Sequence, residues 1–265
     1  MDLGIKGRVA LVTGAGQGVG EAICTTLAAE GVKCAVNDLF QDRADATVQK
    51  VKAAGADGIA AIADVTDPDA VRRMVKEVEE KLGPVDILVN NAGLLAGGAG
   101  WDNATAGGGP LFQATEKEYW DKVIGLIKDG TLNCTRAVIE GMIARKWGRV
   151  VNIISDAGRY GIQGLTAYSM GKAGVVGFTR ALSQDVGEFC ITANCVSPGY
   201  VETPTSKPYG DRMKEGLMMA TPIARGLGRV PMPVDIAETV AFVASERAAF
   251  LSGQVISVNG AQATP

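Results

Sequence analysis

The chain of 265 residues contains no histidine, and this absence excludes several kinds of active site. A Ser-His-Asp hydrolase, a zinc site with histidine ligands and a histidine proton relay all require an imidazole side chain. A single chain of this sequence cannot supply one. Proton transfer must therefore depend on Tyr, Lys, Asp, Glu, Cys or Ser side chains.

Basic runs, paired cysteines and long apolar segments are also absent. The net charge is -3 and the sequence pI is about 5.2, which argues against nucleic acid or an anionic membrane as a partner. The cysteines form no C-x-x-C pair, so we expect buried free thiols and no metal site. The first predicted strand begins at Arg8, which leaves no room for a signal peptide. The sequence thus predicts a cytoplasmic protein without a membrane span.

Strand patterns and helix patterns alternate along the chain. Apolar runs predict strands at residues 8–13, 33–37, 59–62, 85–89, 149–154, 191–196 and 254–258. Amphipathic patterns predict helices at residues 21–30, 42–54, 68–82, 116–144, 168–186 and 234–245. This alternation predicts one α/β domain over residues 1–265, with a Rossmann-type, doubly wound fold. Its sheet would be seven-stranded and predominantly parallel, with helices on both faces.

Two stretches interrupt this alternation. Residues 94–110 are rich in glycine and follow a predicted strand, so they form either a flexible flap or a surface insertion. Residues 203–229 contain three prolines around a possible short helix near residues 213–219. We interpret the second stretch as a substrate lid, with an inert loop as the alternative.

The run from Thr13 to Gly20 joins the first strand to the first helix. Its glycines permit positive φ angles and let a pyrophosphate approach main-chain N–H groups at the start of the helix. An ordinary tight turn is the alternative. The spacing is T-G-x-x-x-G-x-G and not G-x-G-x-x-G, because Val19 stands where the third glycine of the second pattern would fall.

Asp38 ends the second predicted strand, eighteen residues beyond Gly20. A carboxylate there accepts hydrogen bonds from the ribose diol of an adenosine and repels a 2′-phosphate. No Arg or Lys stands at Gln17 or Leu39 to offset that repulsion. Asp38 therefore favours NAD over NADP, unless it serves only to form a turn.

Ser155, Tyr168 and Lys172 are the candidate catalytic residues. Tyr168 and Lys172 are four residues apart near a helix start, so they share one face, and Ser155 lies thirteen residues before Tyr168 at a strand end. Oxidation of an alcohol needs a base within reach of its hydroxyl. A phenol ordinarily titrates near pH 10, and we expect the Lys172 ammonium and a positive nicotinamide to lower the pKa of Tyr168. Ser155 would donate to the substrate oxygen.

Taken together, these motifs resemble those of the short-chain dehydrogenase/reductase family. Asn90-Asn91-Ala92-Gly93 and the segment 198–203 belong to the same set, and the resemblance extends from Gly7 to Gly260. It implies an NAD-dependent oxidoreductase that interconverts a secondary alcohol and its ketone, usually as a homotetramer. It also implies the cofactor contacts Gly14, Gln17, Gly18, Val19, Gly20, Asp38, Asp64, Val65, Asn91, Ala92, Gly93, Tyr168, Lys172, Pro198, Gly199, Val201 and Thr203.

Ile127 departs from the pattern of that family. Family members usually carry an Asn there, which holds a water that links the lysine to solvent, and an isoleucine holds no water. Asn133 does not replace it, because six residues further along is about 240° round a helix. We predict that the enzyme is active through another proton route.

Leu94, Arg159, Tyr160 and Tyr200 are the expected walls of the substrate pocket. Their apolar and aromatic character is consistent with a cyclic or aromatic secondary alcohol or a 3-hydroxyacyl thioester. Arg159 and Arg212 would pair with a carboxylate or a coenzyme A phosphate, or else are solvated. Two alternatives remain open: an NADPH-dependent ketone or 3-oxoacyl reductase, and a catalytically idle NAD-binding subunit or redox sensor.

Overall fold

A parallel sheet of seven strands forms the centre of the protein. The computed structural model describes residues 2–93, 109–204, 206 and 215–263. The strands are β1 (Val9–Val12), β2 (Lys33–Asp38), β3 (Gly58–Ile62), β4 (Ile87–Asn90), β5 (Gly148–Ile153), β6 (Ile191–Pro198) and β7 (Val255–Val258). Their order is β3-β2-β1-β4-β5-β6-β7, and every adjacent pair is parallel. The predicted Rossmann-type fold is confirmed.

Helices cover both faces of this sheet. They are α1 (Gly18–Ala29), α2 (Gln41–Ala53), α3 (Pro68–Leu82), α4 (Lys117–Arg145), α5 (Ala157–Tyr160), α6 (Thr166–Val186), α7 (Pro222–Leu227) and α8 (Pro233–Val243). Residues 215–220 are also helical, which agrees with the predicted short helix where it is described. Nowhere in the described chain is a helix both long enough and apolar enough to cross a membrane.

The core lies on both sides of the central strands. All four residues of β1 and of β4 are buried, as expected for strands covered on two faces. One face packs against α1 and α8 through Ile23, Leu27 and Ile236. The other packs against α3 and α4, where Val78 and Val138 contribute. The chain order reverses beside β1, and at such a point a crevice opens at the carboxyl ends of the strands.

The structure differs from the predicted elements in small ways. Helix α1 begins three residues before Glu21, because Gly18 adopts a φ of 61° that turns the chain into the helix. Helices α5 and α7 are four and six residues long, too short to show a helical repeat in the sequence. Cys190 is exposed, contrary to the expected burial, because it ends a 3-10 turn just before β6 and is not part of the buried strand. The other cysteines are buried and free.

Candidate active site

The glycine run lies where β1, β4 and α1 meet. A Cβ on Gly14 would be 2.9 Å from Ala92 Cα, and a Cβ on Gly20 would be 2.6 Å from both Asn91 Nδ2 and Gly14 O. Real side chains do not tolerate such contacts with neighbouring backbone. Only glycine therefore lets α1 start this close to the two strand ends.

Hydrogen bonds from the end of β4 fix this junction. The Asn91 side chain donates to the main-chain oxygens of Thr13 and Gly14, at 2.8 and 3.1 Å. The Thr13 hydroxyl oxygen accepts from the main-chain N–H groups of Asn91 and Ala92. Asn90 donates in turn to Asn152 on β5, at 2.8 Å. The Asn90-Asn91-Ala92-Gly93 segment thus ties three strands together at the crevice.

The Asp38 carboxylate is held directly beside the glycine run. Asp38 Oδ2 accepts from the main-chain N–H of Gly16, and Oδ1 accepts from that of Phe40, both at 3.1 Å. A Cβ on Gly16 would lie 2.6 Å from Asp38 Oδ2. The side chain of Arg43 stacks over the Phe40 ring, with its guanidinium carbon 4.4 Å from the ring centroid. The carboxylate therefore has a defined position at the end of β2.

Asp64 and Val65 follow β3 at the same edge of the sheet. Asp64 is exposed, and its Oδ1 accepts from the main-chain N–H and the hydroxyl of Thr66. Val65 is buried, and its main-chain oxygen accepts from the Asn133 side chain at 3.0 Å. Asn133 thus faces the β3 end, which agrees with the prediction that it does not take the place of Ile127.

Ser155, Tyr168 and Lys172 are brought together, as their spacing predicts. Tyr168 and Lys172 lie one turn apart on α6, and each is only 4 % exposed. The Ser155 side chain is close enough to the Tyr168 hydroxyl for a hydrogen bond that lowers the pKa of the phenol. Lys172 Nζ is 5.7 Å from the centroid of the Tyr168 ring and donates to the main-chain oxygen of Ile153 at 2.6 Å.

Burial controls the protonation of Tyr168 and Lys172. It raises the pKa of Tyr168 to about 12, although the hydrogen bond with Ser155 works in the opposite direction. It also lowers the pKa of Lys172 to about 8, against an attraction to Cys195. The expectation that the lysine lowers the pKa of the tyrosine is therefore not met within the chain itself. Burial dominates the pKa of Tyr168, and the Lys172 ammonium donates to the main-chain oxygen of Ile153.

Ile127 lies in the apolar wall behind Tyr168. It is 1 % exposed and belongs to the same buried cluster as Tyr168, Val123 and Ile154. Its Cδ1 would be 3.0 Å from a Cβ on Gly171, so α4 and α6 touch at this point. The side chain fills the space next to the lysine turn with hydrocarbon, as its residue type predicts.

The segment after β6 passes in front of α1. The Gly199 N–H donates to Val258 O at 3.3 Å, and Pro198 O accepts from the main-chain N–H of Asp156. Thr203 Cγ2 would lie 3.4 Å from a Cβ on Gly18. The chain between them includes Val201, which packs against the core of the α1 face. Thr203 is thus close to Gly18 at the start of α1, while Gly199 lies against the end of β7.

The expected pocket residues do not all converge. Leu94 and Arg212 lie outside the described residues. The Arg159 guanidinium is 2.9 Å from the Asp156 carboxylate and donates to Ser257, so it points to β7. Tyr160 is 48 % exposed, and the Tyr200 hydroxyl donates to Ser206 O at 3.4 Å.

Asp156 is the prominent residue of this region that the sequence does not predict. It is 1 % exposed, directly follows Ser155, and binds residues from β6, β7 and the segment beyond. The sequence signal for Asp156 is a charged residue at the end of an apolar run. That signal does not identify its partners, because most of them lie far away along the chain.

Comparisons with known proteins agree with this geometry. A family profile described as short chain dehydrogenase matches residues 8–214. The 3-oxoacyl-(acyl-carrier-protein) reductase FabG of Staphylococcus aureus strain Mu50 is 37 % identical over 254 residues, covering 96 % of this chain and 97 % of the relative. The (2S)-((R)-hydroxy(phenyl)methyl)succinyl-CoA dehydrogenase subunit BbsD of Thauera aromatica is 38 % identical over 258 residues, covering 97 % of each.

Proposed function

The chain belongs to the short-chain dehydrogenase family, and from this premise we propose that it is an NAD-dependent secondary alcohol dehydrogenase of 3-hydroxyacyl thioesters. The observation that carries the proposal is the arrangement of Tyr168 and Lys172, which are buried one turn apart on α6, beside Ser155. It gives one site a phenol, a hydroxyl donor and a cation. The proposal takes residues 1–265 as one catalytic domain, with residues 94–110 and 203–229 lining its substrate side.

Each of the three side chains has a separate task in this reaction. Tyr168 takes the proton of the substrate hydroxyl and returns it in the reverse direction. Ser155 donates to the substrate oxygen as its charge changes. Lys172 holds the nicotinamide ribose, and its ammonium opposes the effect of burial on Tyr168. When bound, NAD supplies the hydride acceptor and a further positive charge.

The residues around the crevice fit a dinucleotide. Gly14, Gly16 and Gly20 let the loop pack closely against Ala92, Asp38 and Asn91, and they place no side chain at the start of α1. Main-chain N–H groups at a helix start suit a pyrophosphate. Asp64 and Val65 would contact the adenine, and Thr203 the carboxamide. Pro198, Gly199 and Val201 would support that contact.

Asp38 supports NAD as the preferred cofactor. Its two oxygens already accept from Gly16 and Phe40, and each has a second lone pair for a ribose hydroxyl. A 2′-phosphate would approach the same carboxylate and be repelled. Arg43, on the helix that follows, is a cation that could reduce the repulsion, and its guanidinium is stacked on Phe40.

The relatives support a thioester substrate. The name of one places its substrate on an acyl carrier protein, and the name of another places it on coenzyme A. The second substrate also carries a phenyl group, which fits the aromatic residues Tyr160 and Tyr200. A reductase that consumes 3-oxoacyl thioesters with NADPH is the second candidate, because several relatives are reductases by name.

We also propose that the chain forms a homotetramer in the cytoplasm. An apolar groove between α4 and α6 is lined by Ile124, Leu132, Met170, Val175 and Phe178, among others. Leu132 is 43 % and Met170 is 62 % exposed, which is high for apolar side chains in a groove. A second copy would cover them. Free thiols, with four of the cysteines buried, support a reducing compartment.

Initial rates with two cofactors and three alcohols test the proposed reaction. The purified chain is assayed for NADH absorbance with 3-hydroxybutyryl-coenzyme A, 1-phenylethanol and cyclohexanol, and for the reverse reaction with acetoacetyl-coenzyme A. We expect the highest kcat/KM with the thioester and NAD. A higher kcat/KM for acetoacetyl-coenzyme A with NADPH would favour the reductase. A chain that binds NADH but converts none of these would be the idle protein.

A further inference from the structure

The carboxylate of Asp156 is the centre of a buried network next to Ser155. Its Oδ1 accepts from Ser197 Oγ at 2.8 Å, from Arg159 Nη1 at 2.9 Å and from Ser257 Oγ at 3.3 Å. Its Oδ2 accepts from Asn259 Nδ2 at 2.5 Å. The carboxylate therefore accepts four hydrogen bonds while the residue is only 1 % exposed.

Three of these four donors lie far along the chain from Asp156. Ser197 lies on β6, Ser257 on β7, and Asn259 in the segment beyond β7. The main chain adds a further link, because the Asp156 N–H donates to Pro198 O at 2.9 Å. One residue thus joins the carboxyl ends of β5, β6 and β7 at the crevice.

Helix α5 connects this network to the catalytic lysine. The helix follows Asp156 directly, and its Arg159 is the ionic partner of that carboxylate. A Cβ on Gly158 would lie 2.8 Å from Lys172 Cβ and 2.9 Å from Ala173 N, so α5 packs directly on α6 at Lys172. The position of α5 therefore determines how closely Lys172 approaches the site.

The same turn orients the Ser155 hydroxyl. Ser155 Oγ accepts from the Ala157 N–H at 3.2 Å, and Ser155 O accepts from the Gly158 N–H at 2.8 Å. Both donors belong to the first turn of α5. A rotation of that turn would move the hydroxyl away from Tyr168, with which it shares a hydrogen bond.

We propose that Asp156 is a positioning residue for hydride transfer: through Arg159 and α5 it holds Ser155 and Lys172 in the geometry that the reaction needs. This role rests on the proposed function. Asp156 does not touch the substrate in this assignment. Small displacements of reacting groups reduce kcat strongly, which makes such a role measurable.

The central test compares Asp156→Asn with Asp86→Asn. Asparagine keeps the volume of Asp156 but turns one acceptor into a donor that faces other donors. Asp86 is a matched control, because it is 7 % exposed, accepts from the Val9 N–H and lies near Arg8 and Arg145, just before β4 and away from the crevice. Both variants are assayed at 25 °C with NAD and the alcohol that the parent oxidises fastest, among 3-hydroxybutyryl-coenzyme A, 1-phenylethanol and cyclohexanol.

We expect kcat of Asp156→Asn to fall about ten- to a hundredfold, while KM for NAD changes less than about threefold. Asp86→Asn should keep at least about half of the parental kcat, even if its thermal midpoint falls as far as that of Asp156→Asn. Asn259→Ala removes one donor and leaves the Arg159 pair in place, so it should lower kcat about three- to tenfold.

Four results would overturn the assignment. The network would have only a structural role if the kcat of Asp156→Asn stayed within twofold of the parental value. The same would follow if Asp86→Asn lost as much kcat as Asp156→Asn. If Asp156→Asn does not fold, an unchanged kcat in Asn259→Ala would likewise show that the network has only a structural role. A parent inactive with all three alcohols would contradict the proposed function and this role together, so the two failures can be told apart.

Discussion

Lys172 Nζ donates to the main-chain oxygen of Ile153 at 2.6 Å, on the strand that ends next to Ser155. This bond holds a cation in a site where the side chain is 4 % exposed and where burial lowers its pKa to about 8. The lysine is thus kept at some energetic cost, because water would solvate it better than one carbonyl. Its retention indicates a task other than stability.

Lys172→Met should stabilise the protein at pH 7 while abolishing turnover. The ordinary pKa of lysine is 10.5, so between about pH 8 and 10.5 the unfolded chain binds more protons than the folded chain. Parental stability therefore rises with pH across that range. We expect Lys172→Met to raise the free energy of unfolding by about 1–3 kcal/mol at pH 7, and this gain to shrink towards pH 10.5. Urea unfolding at several pH values measures it.

Lys33→Met is the control for that experiment. Lys33 Nζ also donates to a main-chain oxygen, that of Leu82, at 3.2 Å, but the residue is only partly buried. Its replacement should produce no comparable pH-dependent gain. An equal gain in both variants would mean that the methionine side chain, and not the buried charge, is responsible.

Tyr168→Phe should lower kcat about 10²- to 10⁴-fold, the range typical of a lost general acid or base. NADH affinity, followed by fluorescence titration, should change only a few-fold. Tyr119→Phe, from the edge of the same apolar cluster, should keep its activity. If Tyr168→Phe turns over like the parent, the tyrosine is not the base.

Ile127→Asn tests whether the site works without the family asparagine. We expect the parent to reduce NAD and the variant to gain no more than a few-fold in kcat. The variant should also lose about 1–3 kcal/mol of stability, because an amide replaces a buried hydrocarbon. Ile127→Val, which changes packing alone, is the control. An inactive parent with activity recovered in Ile127→Asn would disprove our prediction of another proton route.

Asp38→Ala should weaken NAD binding and relax cofactor choice. Loss of hydrogen bonds to a charged group costs about 1.5–3 kcal/mol, so kcat/KM for NAD should fall about ten- to a hundredfold. The value for NADP should be unchanged or higher. Asp42 is an exposed neighbour in the first turn of α2, so Asp42→Ala should change kcat/KM for neither NAD nor NADP. A parent that prefers NADP, with little change in Asp38→Ala, would indicate the reductase.

The sequence predicts most of the sheet and the local spacing of the site. Strand runs such as that of β1 are apolar because both faces are covered, and this pattern is visible in the residues themselves. Tyr168 and Lys172 share a face because four residues make about one turn. Asn133 does not take the place of Ile127 for a similar reason, because six residues are about 240° round a helix.

Contacts between distant parts of the chain are what the sequence does not reveal. The acceptor for Lys172 is a main-chain oxygen, which every residue carries, so no residue type marks Ile153. Asp156 bonds to Asn259 across 103 residues. The rise in the pKa of Tyr168 depends on burial, and burial is a property of the packed site.

The link between Asp156 and Asn259 also sets an order of events during synthesis. The crevice draws on residues from Gly14 to Asn259, so its geometry is incomplete until the edge strand β7 has left the ribosome. At about 5–20 residues per second, the 103 residues between the two partners take roughly 5 to 20 s to make. The glycine run and Asp38 are thus synthesised well before the network that supports Ser155 can be completed.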